Sequence, residues 1–277
     1  MTNVVQYKSS SADTARGPSP AIWGDCPWLE IMAQVAQGRG GYQLWDDFDT
    51  GGLITSPTTI AALGGGHKYS GFGSSGATIT VDDAAAGSSG IVLTEATNNE
   101  AVSITTDNHP YTMSNVSGNL WFEARVKTST ITTAEQSFFI GLTETEPHTA
   151  AIPLTATDVL SDHNMVGFHM QEATTTAFDF SYKANGITAV EVNADIGTLA
   201  VDTYVKLGFV LRSTDRKIRC FINGVEQAST KTLDDADGTD FPSDVGLAPT
   251  LAMLLGNSAA ETMTMDWWKV AQIPEDN

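Results

Sequence analysis

From Asn119 to Thr128 the chain alternates, with Leu120, Phe122, Ala124 and Val126 on one side and Trp121, Glu123, Arg125 and Lys127 on the other. A period of two belongs to the β-strand, whose successive side chains point to opposite faces. One face is then core, and the other meets solvent or another layer. Shorter Thr-rich runs of this kind occupy residues 91–95, 101–105, 137–143, 165–171, 177–183, 187–192, 204–212, 217–223, 250–255 and 262–270. Asn185-Gly186 separates two of the runs and Asn223-Gly224 follows another, and both dipeptides accept the positive φ of a tight hairpin turn. Ser213-Thr214-Asp215-Arg216 joins two more.

No helical pattern long enough for a crossover interrupts these runs, so the strands are expected to pair antiparallel. Helical spacing is confined to the N-terminal stretch, where Trp28, Ile31, Met32 and Val35 define one apolar face. Asp25 at the cap, Pro27 in the first turn and Gly38 at the close predict a short helix there. The first twenty or so residues, with Ser9-Ser10-Ser11 and Gly17-Pro18-Ser19-Pro20, are too polar and small to bury a core of their own. The expected architecture is an all-β antiparallel sandwich over residues 45–277, preceded by an arm over 1–44 that contains the helix.

Charge sharpens this division. The chain holds 14 Lys and Arg against 33 Asp and Glu, a net charge of −19. Residues 1–44 carry Lys8, Arg16 and Arg39 against Asp13, Asp25 and Glu30, so 3 − 3 = 0 and the whole deficit lies in the sandwich. Such a surface repels phosphate backbones, and nucleic acid is not an expected partner. The two cysteines, Cys26 and Cys220, make no disulfide framework. The first residues lack the apolar core of a secretory leader, and no apolar run approaches the ~18 residues of a membrane span, so neither secretion nor a membrane is expected.

Tyr204-Val205-Lys206-Leu207-Gly208-Phe209-Val210-Leu211-Arg212, a turn, and Lys217-Ile218-Arg219-Cys220-Phe221-Ile222-Asn223-Gly224-Val225-Glu226 together resemble the strand pair of laminin G-like and concanavalin A-like domains. Leu120-Trp121-Phe122-Glu123-Ala124-Arg125-Val126 is similar to an earlier central strand of that family, and Met265-Asp266-Trp267-Trp268-Lys269-Val270 to its closing strand. The resemblance implies a jelly roll. A narrower one joins Trp23-Gly24-Asp25-Cys26-Pro27-Trp28 and Trp45-Asp46-Asp47-Phe48 to structural proteins of tailed-phage particles. It implies a virion component, a decoration or head-fibre protein, with capsid or other virion proteins as partners.

Candidate chemistry is sparse. Glycoside hydrolysis needs two carboxylates about 5–10 Å apart, and the nearest alternating acids are Glu144 and Glu146, cut off by Pro147. The acidic stretch from Asp234 to Asp240 invites calcium, but Leu233 stands at the first ligand place of an EF-hand register. His67, His109, His148, His163 and His169 match no zinc spacing, and no nucleophile elbow or phosphate loop is present. No enzyme, metal or cofactor is therefore expected, Glu123 and Arg125 read as a surface ion-pair ladder, and Trp121 and Trp268 are weighed as sugar-stacking rings.

The leading expectation is a non-enzymatic, homo-oligomeric virion protein docking through Ile22, Trp23, Trp28, Leu29, Ile31 and Met32, aromatic and aliphatic anchors of the kind that fill a partner's groove. The same helix is nearly as well suited to pack back on its own sandwich. The alternative is a lectin-like carbohydrate-binding or adhesion module, with a glycan as partner.

Overall fold

The computed structural model describes residues 12, 14–37, 41–48, 69–74, 76–82, 90–108, 110–113, 118–144, 160–171, 177–187, 190–212, 217–228, 240–243 and 245–273. Among them the strands form two antiparallel sheets. The first runs β13 (Val225–Glu226), β12 (Lys217–Ile222), β11 (Val205–Arg212), β6 (Asn119–Thr128), β15 (Glu261–Ile273), β4 (Gly90–Glu95) and β3 (Thr78–Asp82), with β1 (Tyr42–Asp46) beside the second half of β15. The second runs β10 (Val190–Thr198), β9 (Ala177–Lys183), β8 (Met165–Met170), β7 (Gln136–Thr143), β14 (Ala248–Leu255), β5 (Ala101–Thr106) and β2 (Tyr69–Gly73).

The alternation expected along β6 holds: Leu120, Phe122, Ala124 and Val126 enter the core between the sheets. A file of rings crosses that core, from Phe122 to Phe209 at 4.9 Å, on to Phe180 at 5.3 Å, and to Phe168 at 4.8 Å. Ring pairs at these offset separations add to the area they bury. A second knot fastens the start of the sandwich. Buried Asp46 accepts from the Phe48 amide at 2.8 Å and the Tyr69 hydroxyl at 2.6 Å, which explains an acid two residues before Phe48, itself held at φ 55°.

The hairpin between β12 and β13 turns on Asn223 and Gly224, both at positive φ, as a type I′ turn requires. The Ser213–Arg216 turn lies outside the described residues. The run expected at 187–192 is displaced: β10 extends to Thr198 and pairs with β9 through two register shifts. Three early strands escaped the alternation. β2 reads Tyr-Ser-Gly-Phe-Gly, and its glycines hide the period; β1 and β3 are five residues each.

Two helices precede the sandwich, α1 (Pro20–Trp23) and α2 (Trp28–Gln37). α2 begins at Trp28, so Pro27, expected in the first turn, precedes it, and its carbonyl accepts from the Ile31 amide at 3.0 Å; Gly38 lies outside the described residues. No helix among the described residues is long and apolar enough to cross a membrane.

Candidate functional site

The outer faces of the two sheets differ in what they carry. On the second sheet, residues alternate with the core positions and stand in rows fixed by register. One row reads Ser70, Thr105, Thr250, Gly141, Gly167 and Ser181 across six strands. The hydroxyls form a relay: Thr250 lies 2.8 Å from Thr143 and donates to Thr105 at 3.0 Å, and Thr105 donates to the Pro249 carbonyl. Ser181 meets His169 Nε2 at 2.9 Å, and Ser70 donates to Asp107.

Gly141 and Gly167 sit opposite each other in the middle of this row. A Cβ on Gly141 would lie 2.2 Å from the Val166 carbonyl oxygen, and one on Gly167 would lie 2.8 Å from Cζ of Phe139, so both places require glycine. Phe139 leans over the floor the glycines leave and belongs to a small apolar cluster with Leu160, Met165 and Leu254. Asp179, opposite His169, accepts from the Asp195 amide at 2.6 Å; burial pushes its pKa up, while that hydrogen bond pulls it down. Phe139, Thr105, Thr250, Ser181 and His169 are all buried, so these hydroxyls, the ring and the imidazole satisfy one another inside the molecule and do not stand open on its surface.

At one end of β7, Glu144 accepts from both the amide and side chain of Asn164, at 3.0 and 2.6 Å. Glu146 lies outside the described residues, as do His67, His109 and His148 and the acidic stretch up to Thr239. Among the described residues no cluster of three or more His, Cys, Asp or Glu is placed to hold a metal.

The outer face of the first sheet is covered by the chain's own arm. A row here reads Trp45, Lys269, Glu123, Gly208 and Phe221. Ile22 fills the hollow at Gly208, where a Cβ would come within 2.5 Å of Ile22 Cδ1. Glu123, fully buried, accepts from the Ser19 amide at 2.9 Å and the Trp23 indole at 2.8 Å, and desolvation pushes its carboxyl above the ordinary range. Lys206 donates to the Gly17 carbonyl and Trp267 to that of Arg16. Buried Asp266, at a bulge in β15, accepts from both Arg16 and Arg125. Asp25 takes the Trp121 indole and Arg212. Lys269 lies 4.1, 4.2 and 4.5 Å from the ring centres of Trp23, Trp28 and Trp45, and burial pushes its ammonium down to about 8.

The six arm residues expected to bind a partner are therefore divided. Ile22 and Ile31 are buried against this chain's own sheet, Trp23 and Trp28 are half-buried around Lys269, and Leu29 and Met32 are exposed. Glu123 and Arg125 form no surface ladder, because the arm covers one and Asp266 engages the other. Trp121 and Trp268 are buried and cannot stack on a sugar; among the described residues Trp45 and Tyr42 are the rings left exposed. The hydroxyl row of the second sheet was missed, since its members come from six strands and no local string unites them.

No family model and no curated protein matches the sequence. Solved structures do. The carbohydrate recognition domain of Emp47p aligns over 82% of this chain and 96% of its own, with a TM-score of 0.53 and 9% identity. A Bacteroides ovatus family 16 glycoside hydrolase that acts on mixed-linkage glucan aligns over 82% and 99%, with a TM-score of 0.52 and 9% identity. A protein of unknown function from Shewanella oneidensis MR-1 aligns over 86% and 88%, with a TM-score of 0.53 and 14% identity. Nothing in the comparisons connects the chain to a phage virion. The expectation that the chain is not an enzyme is corrected by the hydrolases among the neighbours. It rested on Pro147 cutting short the alternation of Glu144 and Glu146. At these identities the likeness establishes architecture alone: the chain folds as a concanavalin A-like jelly roll, the fold of lectin domains and family 16 glycosidases.

Proposed function

We propose that this protein is a lectin-like carbohydrate-binding module. The observation that carries the reading is the sandwich itself, which the carbohydrate recognition domain of Emp47p matches over 82% of this chain. Carbohydrate recognition in Emp47p and glucan cleavage in the Bacteroides enzyme support it as uses of the same architecture. Calorimetric titration of the whole chain with neutral oligosaccharides tests it. Binding to at least one glycan is expected, and no binding to any of them ends the reading. Release of new reducing ends in the same samples would show that the module also cleaves its ligand.

A second reading, favoured by the exposed Leu29 and Met32, keeps the module on a phage particle with capsid or other virion proteins as partners. It rests on the resemblance of the Trp23–Trp28 and Trp45–Phe48 strings. Particles assembled with a chain lacking residues 1–44 should then lack the protein, and retained incorporation would refute it.

A further inference from the structure

Lys269 stands on the outer face of β15, with Trp45 of β1 and Glu123 of β6 as its neighbours across the ladder. Its ammonium lies among three indole faces, those of Trp23 on α1, Trp28 on α2 and Trp45. Rings attract a cation, but they do not replace the oxygens that ordinarily solvate it. Among the described residues no carboxylate or carbonyl oxygen takes a hydrogen bond from Lys269. The acid opposite, Glu123, turns its Oε2 to the Ser19 amide and the Trp23 indole and makes no ion pair with the amine. A half-buried amine held by rings alone needs a reason, since a long cationic side chain usually keeps its head in water or beside an acid.

This setting suits nucleophilic chemistry. A lysine amine attacks only in its neutral form, and apolar surroundings without a counter-ion favour that form. Burial brings Lys269 down to about 8, against about 10.4 for a solvated lysine. Of the two titratable groups that act on it, Cys26 between the helices is pushed up to about 12 by burial, and Glu123 is raised by desolvation. Both shifts weaken the negative charge that would hold a proton on the amine. The rings' attraction for the cation pulls the other way, so the pH dependence of the reaction measures which influence prevails. Charge also selects the electrophile: a molecule of net charge −19 repels anionic carbonyl compounds and not neutral ones. Access is from the β1 side, where Trp45 is exposed, and three indoles around one atom leave room only for a small reagent.

We propose that Lys269 is a site of covalent capture for small neutral aldehydes. Its Nζ lone pair adds to the carbonyl carbon, forming the C–N bond, while one amine proton passes to the carbonyl oxygen. The carbinolamine then loses its hydroxyl and the remaining N–H proton as water, leaving an imine. No oxidant or reductant takes part, and the step is reversible. The neutral imine takes the amine's place among the rings without the cost of burying a charge. Two of the three rings belong to α1 and α2, so capture acts at the joint between the arm and the sandwich. It stands or falls independently of glycan binding.

Brief exposure of the full chain to acetaldehyde tests the proposal, with cyanoborohydride present to trap each imine as a secondary amine by hydride transfer and peptide mass spectrometry to locate it. At about pH 7.5, Lys269 should be labelled about tenfold or more faster than Lys217, the exposed lysine of β12. The ratio of the two rates should fall as the pH rises to about 10.4, where an ordinary lysine also becomes neutral. Trp45→Ala admits water to the amine and should lower the ratio at pH 7.5, with thermal melting to show that the variant is folded. Equal labelling of the two lysines at pH 7.5, a ratio that does not change with pH, or a folded Trp45→Ala variant that labels like wild type would each overturn it.

Discussion

At Glu123 a single carboxylate reads the main chain of another segment. Its Oε2 receives the Ser19 amide and the Trp23 indole while the group is wholly shut off from water, and desolvation is the largest influence on its pKa, raising it. The sign follows by linkage: a carboxyl whose folded pKa is raised contributes stability present below the ordinary carboxylate range and lost as the pH rises through the folded value. Melting temperature should therefore fall as the pH climbs past that range, and Glu123→Gln should flatten that slope while keeping an acceptor for Trp23. An unchanged slope in differential scanning calorimetry would mean that Glu123 is not the group responsible. At the next place along the same row, Gly208 admits Ile22 only because it has no side chain. Gly208→Ala sets a Cβ 2.5 Å from Ile22 Cδ1 and 2.8 Å from the Phe122 carbonyl oxygen. Overpacking of this kind costs about 1–3 kcal/mol. Adding Ile22→Val removes the offending methyl and should return part of that loss, so urea titrations of the two single variants and the double variant should not sum. Simple additivity would show that the contact does not couple.

As elements, the arm and β15 explain each other. β15 is the longest strand, flanked by β6 on one side and by β4 then β1 on the other, and its bulge at Asp266 turns a carboxylate outward to meet Arg125 and the arm's Arg16. Asp266→Asn leaves both guanidiniums without their counter-charge. Arg125 is largely buried, so roughly 3 kcal/mol should be lost, and proteolysis within residues 12–37 should quicken more than elsewhere if the arm lifts. A variant with wild-type melting and cleavage would show the bulge to be incidental. The elements themselves were largely legible. Alternation gave the span and both faces of β6, and Pro27 with a three-four spacing gave α2, because each signal is confined to a few neighbouring residues. β2 was illegible for the opposite reason: its glycines have no side chain to carry a period. Neither could the sequence reveal that the polar side of β6 would be roofed by Ser19, Ile22 and Trp23, a hundred residues away.

For the whole molecule the governing quantity is −19 on a chain with an isoelectric point near 4.3. The charge imbalance was readable by counting, and the resemblance of four separated strings gave the jelly roll. The hydroxyl row needed the register of six strands, information held in pairing and not in any string. That same imbalance predicts how the fold responds to salt. At pH 7 the compact state works against its own repulsion, and ions shorten its range from about 30 Å at 0.01 M to about 3 Å at 1 M. Added NaCl should therefore raise the melting temperature at pH 7. The opposing effect, weakening of ion pairs, is small here because Asp266 is buried and buried pairs are screened much less. Near pH 4.3 net repulsion vanishes, so the gain from salt should shrink towards zero or reverse. Melting curves at 0.02 and 1 M NaCl at the two pH values separate the effects. An equal rise at both would assign the stabilisation to salt acting on apolar burial, and self-repulsion would then have no part in setting the stability of this sandwich.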